Sequence, residues 1–490
     1  MRIIVILFIL STIQVYAQQA TEIDSKSLRL PSYVSIAAIT TAIPSPQHGM
    51  MVYNQGTATN WYYNGSNWVN LAIATSTPAE AEGFGSWGCD NSAFVAYQPV
   101  GNLDGQSYDS FGVSVAISGE YAIVGAYQDD ELALLNVGSA TIFKRNSNTG
   151  TWESQGKLSN PGTASSVFFG RSVAISGNYA IVGAELDDEG GFIDCGSATI
   201  FKRNGTSGVW ESQGKLTNSV LANSDNFGNS VAISGDYAIV GAPYDDEGDF
   251  NDNGSATVFK RNNISNIWES QGKLINLGPV LGDRFGYSVA ISGDYAIVGA
   301  YLDDEAGLTN CGTATIFKRN SSTGIWESQG KLSNPNAASD DSFGFSVSIS
   351  GDYAIVGAYT DVEGGFLWSG SATIYKRNNS TGIWQVQVKL TNPAAASNDY
   401  FGFSVGISGD YAIVGANQDD EGGFTNNGSF SVFRRYGETW RLVSKKNDPG
   451  TITNFDGLGI SCTIDINGNF IVGESGADSY KGVALFGKVN

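Results

Sequence analysis

The 490-residue chain holds one histidine, four cysteines, three methionines and eleven prolines. The lone histidine, His48, lies near the start, outside the repeated part of the chain. Ser-His-Asp and Cys-His catalysis therefore lack their base in the repeats, and His-ligated zinc is excluded there. Four cysteines are too few for a disulfide framework in a chain of this size. Long apolar runs are scarce too. Ile3–Ile13 is the longest, and nothing else approaches the roughly 20 residues a membrane helix needs. Positive charge is also in short supply: 27 Lys and Arg stand against 48 Asp and Glu, a net charge of −21. Such a surface repels nucleic acid and anionic membranes and attracts cations.

Residues 1–17 read as an export signal. Arg2 supplies the positive start, Ile3 to Ile13 the apolar run, and Val15-Tyr16-Ala17 a small-x-small cleavage site. The expected location is secreted or at the cell surface. No cysteine follows the cleavage site, which argues against a lipid anchor. Residues 18–71 form a small β module, with Gly49–Asn54 as one strand segment and Trp61–Val69 as a hairpin about Asn64-Gly65. It resembles small β modules found ahead of bacterial surface and fibre-like proteins. Residues 72–92, with Pro78-Ala79-Glu80-Ala81-Glu82 and several Gly and Ser, read as a linker.

What the chain has in abundance is repetition. Phe-Gly recurs at Phe111, Phe169, Phe227, Phe285, Phe343 and Phe401, always 58 residues apart. An unbroken long period marks an array of one supersecondary unit. In the repeat from Phe285, Phe285–Ser292 alternates as a strand does, Gly293-Asp294 turns, and Tyr295–Ala300 forms a second strand. Gly312–Arg319 is a third, rich in β-branched residues, and Trp326–Leu332 a fourth. Four antiparallel strands without helical periodicity describe a propeller blade. After Trp440 a worn seventh unit begins with Leu458-Gly459 and ends after three strands. One period back from Trp152 lies Phe94, so Ala93–Val100 is an orphan fourth strand. The expectation is an all-β, seven-bladed propeller over residues 93–490, closed by this N-terminal strand.

The pattern F-G-x-S-V-A-I-S-G-D-Y-A-I-V-G-A resembles the FG-GAP repeat of integrin-α-type β-propellers, over about four-fifths of the chain. The resemblance implies an extracellular propeller that mediates adhesion or ligand binding. Many members of that family carry a D-x-D-x-D-G calcium loop between the first and second strands. Here the connection is only Ser-Gly-Asp-Tyr, as at Ser234–Tyr237, so those sites do not carry over.

Acidic residues gather instead in the 2–3 loops: Asp129-Asp130-Glu131, Asp187-Asp188-Glu189, Asp245-Asp246-Glu247, Asp303-Asp304-Glu305, Asp361 with Glu363, and Asp419-Asp420-Glu421. The 4–1 loops, on the same rim, add Asp109, Asp225, Asp283, Asp341, Asp399 and Asp456. Calcium wants six to eight oxygens, which makes the seventeen loop carboxylates candidate Ca2+ ligands. Their adjacent spacing does not match the alternation of known calcium loops, and a solvated acidic surface is the competing reading. Other recurrent residues read as structural. The Phe-Gly pairs pack between blades, and Trp152, Trp210, Trp268, Trp326, Trp384 and Trp440 pack on neighbouring blades. The Lys-Arg pairs ending the third strands protect sheet edges.

Cys195 and Cys311 occupy one position two blades apart, too far to bridge, whereas Cys89 and Cys462 both fall near blade seven and form a candidate pair. Active sites break symmetry, and the odd features here, Val167, Val362 and the worn last unit, look like losses. The expectation is a non-enzymatic binder of an extracellular protein or polysaccharide. The alternatives are a lectin with sugars between blades, or a scaffold presenting the N-terminal module.

Overall fold

The structure is a computed structural model. It describes residues 94–489 apart from 103–104, 132–133, 163, 249, 421–424, 448–455 and 478–480, together with four strand segments between Ser32 and Asn70. The expected signal at 1–17, the linker at 72–92 and Cys89 lie outside the described residues. Among the described residues no helix is long and apolar enough to cross a membrane.

The chain divides into two compact units, Met1–Asp90 and Asn91–Asn490. In the first, Met51–Asn54, Thr59–Tyr63 and Trp68–Asn70 pair antiparallel in sequence order. Tyr63 pairs with Trp68, as the expected hairpin requires, while Asn64-Gly65 lies outside the described residues. A short strand, Ser32–Tyr33, adds in parallel to Met51–Asn54.

The second unit contains seven four-stranded antiparallel sheets. Blade 4 is representative: Ser288–Ser292, Tyr295–Ala300, Thr313–Arg319 and Trp326–Leu332, paired in sequence order. The last blade takes Leu458–Ile464, Asn469–Glu474 and Val483–Val489 from the C-terminus. Its fourth strand is Phe94–Gly101, running antiparallel to Val483–Val489. The ring closes as the sequence period requires.

The core lies between blades rather than within them. Phe227 and Phe259 of blade 3 are buried against Ile181, Ile200 and Leu216 of blade 2. The Phe-Gly pair makes this approach possible. Phe169 bridges to Gly138 of the preceding blade, and Gly170 has φ +94°. A Cβ on Gly170 would lie 2.1 Å from the Ser139 carbonyl oxygen, closer than any atom tolerates, so only glycine fits.

The outer tryptophans sit on the blade before them, as expected. Trp326 meets the Tyr237 ring edge-on at 5.9 Å between centroids. The Lys-Arg expectation is corrected. The third strand is flanked on both sides, so it has no edge to protect. Lys260 of the same blade and Arg319 of the next lie over Tyr237, at 5.5 and 5.0 Å from the ring centroid. Arg319 also pairs with Asp294 in the 1–2 turn of its own blade. These cations tie blades together. The exposed fourth strands are instead interrupted by an extra residue, as at Gln329 opposite Ile316 and Phe317, which breaks the edge as a template for pairing.

Candidate functional site

The 2–3 and 4–1 loops share one rim, hydrogen-bonded to each other from blade to blade. Ser224 N–H donates to the Ile193 carbonyl and Phe227 N–H to that of Cys195. In blade 3, Asp245 is buried, and its Oδ2 accepts from Ser255 Oγ at 2.5 Å and from Lys273 Nζ at 2.6 Å. Lys273 comes from the fourth strand and also pairs with Glu247. The middle carboxylate turns elsewhere: Asp246 Oδ1 accepts the backbone N–H of Asp252 at 2.8 Å. Asp252 has φ +54°, so Asp246 caps a left-handed residue that the loop needs to return to the third strand.

The same arrangement recurs around the ring. Lys157 holds Asp129 and Glu131, Lys215 holds Asp187 and Glu189, Lys331 holds Asp303 and Glu305, and Lys389 holds Asp361 and Glu363. Lys445 holds Asp419 at 2.5 Å, while Glu421 lies outside the described residues. Asp130, Asp188, Asp304 and Asp420 each cap a backbone N–H six residues on. Burial alone would lower Lys215, Lys273, Lys331 and Lys389 from the ordinary lysine value. The hydrogen bonds and charges of their Asp and Glu partners outweigh it and raise all four.

The 4–1 aspartates lie beneath this layer. Asp225 is buried, accepting from Ala222 N–H at 3.1 Å and Asn218 Nδ2 at 3.4 Å. Burial, and then the charge of Asp245, push its carboxyl up to about 6. Asp283, Asp341 and Asp399 are pushed to about 6 by burial first, with Asp303, Asp361 and Asp419 adding to it. In blade 2 the position is Val167, buried among apolar side chains beside Val137.

A calcium ion needs several oxygens converging on one point. Here the three carboxylates of a triplet face different partners, and a lysine ammonium already sits between the first and third. Among the described residues no group of three or more His, Cys, Asp or Glu side chains is placed to share a metal ion. The triplets as placed are ion-pair partners and loop caps. Sequence reasoning overlooked the lysine, whose signal was its recurrence in the fourth strand of blades 1 to 6.

Cys195 takes the backbone N–H of Glu189 on its Sγ, as Asn253 Oδ1 takes that of Glu247. It is a polar loop pin, and burial raises its thiol. Cys462 is buried, and burial pushes its thiol up to about 12; its candidate partner Cys89 lies outside the described residues.

Symmetry fails at the axis of this rim. The residue after each Phe-Gly is Val113, Arg171, Asn229, Tyr287, Phe345 or Phe403. In blades 4 to 6 these aromatics join those that follow the second strands. Tyr287 meets Tyr301 at 4.5 Å and Phe345 at 5.0 Å, and Phe345 meets Tyr359 at 4.3 Å and Phe403 at 4.9 Å. Tyr359 continues to Tyr400, and Tyr400 to Trp368. Across from this arc, Arg171 Nε lies 3.2 Å from Glu185 Oε1. The expectation that odd residues are only losses is corrected. Val362 replaces a capping Asp in the loop that gains Trp368, which is 40% exposed with φ +53°.

Comparison with known proteins agrees with this architecture. Residues 102–143, 152–201, 210–259, 268–317, 326–375 and 384–433, more than half of the chain, match the FG-GAP repeat. Residues 17–82 match the phage tail like trimerisation region. No curated protein is significantly similar to the chain.

Proposed function

The chain belongs to the FG-GAP repeat family, and from that premise we propose that it is an exported, non-enzymatic adhesion or ligand-binding propeller carried as a trimer. The observation that carries the reading is the contrast between frame and axis. The frame repeats with little change, whereas side chains at the centre of one rim differ from blade to blade. A selected surface on a regular scaffold is the signature of recognition. Export is supported by the signal-like residues 1–17 and by the extracellular habit of FG-GAP repeats.

Trimerisation is supported by the match over residues 17–82. Three propellers on one stem would turn weak contacts with a repetitive protein or polysaccharide surface into firm attachment. The acidic rim, in this reading, is held in shape by its own lysines and works without calcium. Light scattering on the full chain and on residues 91–490 tests the assembly, with a trimer and a monomer expected. Retention of the trimer, and not the monomer, on a cell-surface extract tests attachment. A monomeric full chain, or no retention at all, defeats the proposal.

A further inference from the structure

Resting on that reading, we propose that the axial opening of the acidic rim is a binding site for the ring of a neutral sugar.

The site has two unlike walls. Arg171 keeps 35% of its side chain accessible, so its head is open to water and to a ligand. Arg171 is carried by blade 2 and the aromatics by blades 4, 5 and 6, each at the same position of the repeat. One wall is therefore the arc of Tyr287, Phe345 and Phe403 with the tyrosines beside them. The other is the Arg171–Glu185 pair, with Asn229 next to it donating Nδ2 to the Tyr287 carbonyl at 2.9 Å.

The chemistry of the walls selects the occupant. Aromatic faces with a few fixed polar groups suit a ligand that has an apolar face and a polar edge. A sugar ring offers both: axial C–H bonds to lie against the part-exposed rings of the arc, and hydroxyls for the amide of Asn229 and the Arg171–Glu185 pair. Acidic sugars are disfavoured because the surrounding rim carries carboxylates from every blade and Arg171 is already neutralised. Cations are disfavoured because the protein supplies its own. Arg284 lies over the Tyr244 ring at 3.9 Å, and Arg171 over Tyr127 at 5.7 Å.

The test uses the full chain, with methyl glycosides of the neutral hexoses, 6-deoxyhexoses and N-acetylhexosamines as probes. Trp368 borders the arc, so binding is read by its fluorescence and independently by calorimetry. At least one glycoside is expected to bind. Trp368→Phe should abolish the fluorescence change while calorimetry still detects heat. Phe345→Leu and Tyr287→Phe should weaken binding tenfold or more with melting temperature held within a few degrees. Gln329→Ala, on an outer strand, should leave it unchanged. Absence of heat with every glycoside overturns the proposal. So does sugar binding that ignores the arc variants, or guanidinium and methylammonium ions binding in place of sugars. If the arc variants still attach to cell-surface extract, this site falls while the adhesion reading stands.

Discussion

Ser461 Oγ donates to the carbonyl of Gly112 at 2.7 Å, joining residues 349 apart in sequence. It is the last of seven equivalent bonds. Ser114, Ser172, Ser230, Ser288, Ser346 and Ser404 each reach the Phe-Gly or Leu-Gly glycine of the next blade in the same way. Alanine at Ser461 should cost about 1 kcal/mol, the ordinary worth of such a bond. Deleting Phe94–Gly101 should cost far more, because it uncovers Phe486 and the edge of the last blade. Denaturant unfolding separates the two: a shifted midpoint for the first, and a broadened, aggregation-prone transition for the second.

Gly170→Ala should be among the most damaging single substitutions, at roughly 3 kcal/mol or more, since the Ser139 backbone cannot withdraw. Gly191→Ala is the control. It has a similar φ of +89° but open space around its Cβ, so only backbone strain remains, about 1 kcal/mol. Equal melting temperatures for the two variants would refute the close-packing account.

Removing Lys331 leaves Asp303 charged, buried and paired only with the Thr313 hydroxyl. Lys331→Met should therefore destabilise by about 3 kcal/mol, and adding Asp303→Asn should restore most of it. A double-mutant cycle in urea gives the coupling directly. Calcium at millimolar concentration should leave the melting temperature of the unmodified chain unchanged. A rise of several degrees would show that the lysines yield to the metal.

Asp225, Asp283, Asp341 and Asp399 have folded-state values near 6 against an ordinary 3.8. Between those values the folded chain holds more protons than the unfolded one, so stability falls as pH rises through 6. Melting temperature should therefore climb by a few degrees on going from pH 7.5 to 5. Asn at all four positions should flatten this slope.

The frame was legible because each of its elements is a local pattern multiplied by a period. Even the closing strand followed from counting one period back from Trp152 to Phe94. The rim was half legible. The Asp-Asp-Glu triplets announce a charged loop, but their partner in blade 3, Lys273, lies 28 residues beyond Asp245. Nothing in that spacing says that a lysine on the fourth strand reaches past the third to the loop that follows the second. The aromatic arc was hidden for a related reason. Tyr287, Phe345 and Phe403 vary at a single position of the repeat, so each looks like drift on its own. Ring geometry alone brings that position to the axis and makes the three adjacent.

The shared last sheet sets a condition on biosynthesis. A chain made from its N-terminus releases Phe94–Gly101 early, yet that strand has no partner until Val483–Val489 emerges. Blades one to six can form in turn as an open arc, with an unsatisfied edge at each end. Closure is the slow, long-range step. A premature stop that removes only the final seven described residues, Val483–Val489, would thus leave every repeat intact and still deny the cell a finished molecule. Quality control of this protein is written into its last strand.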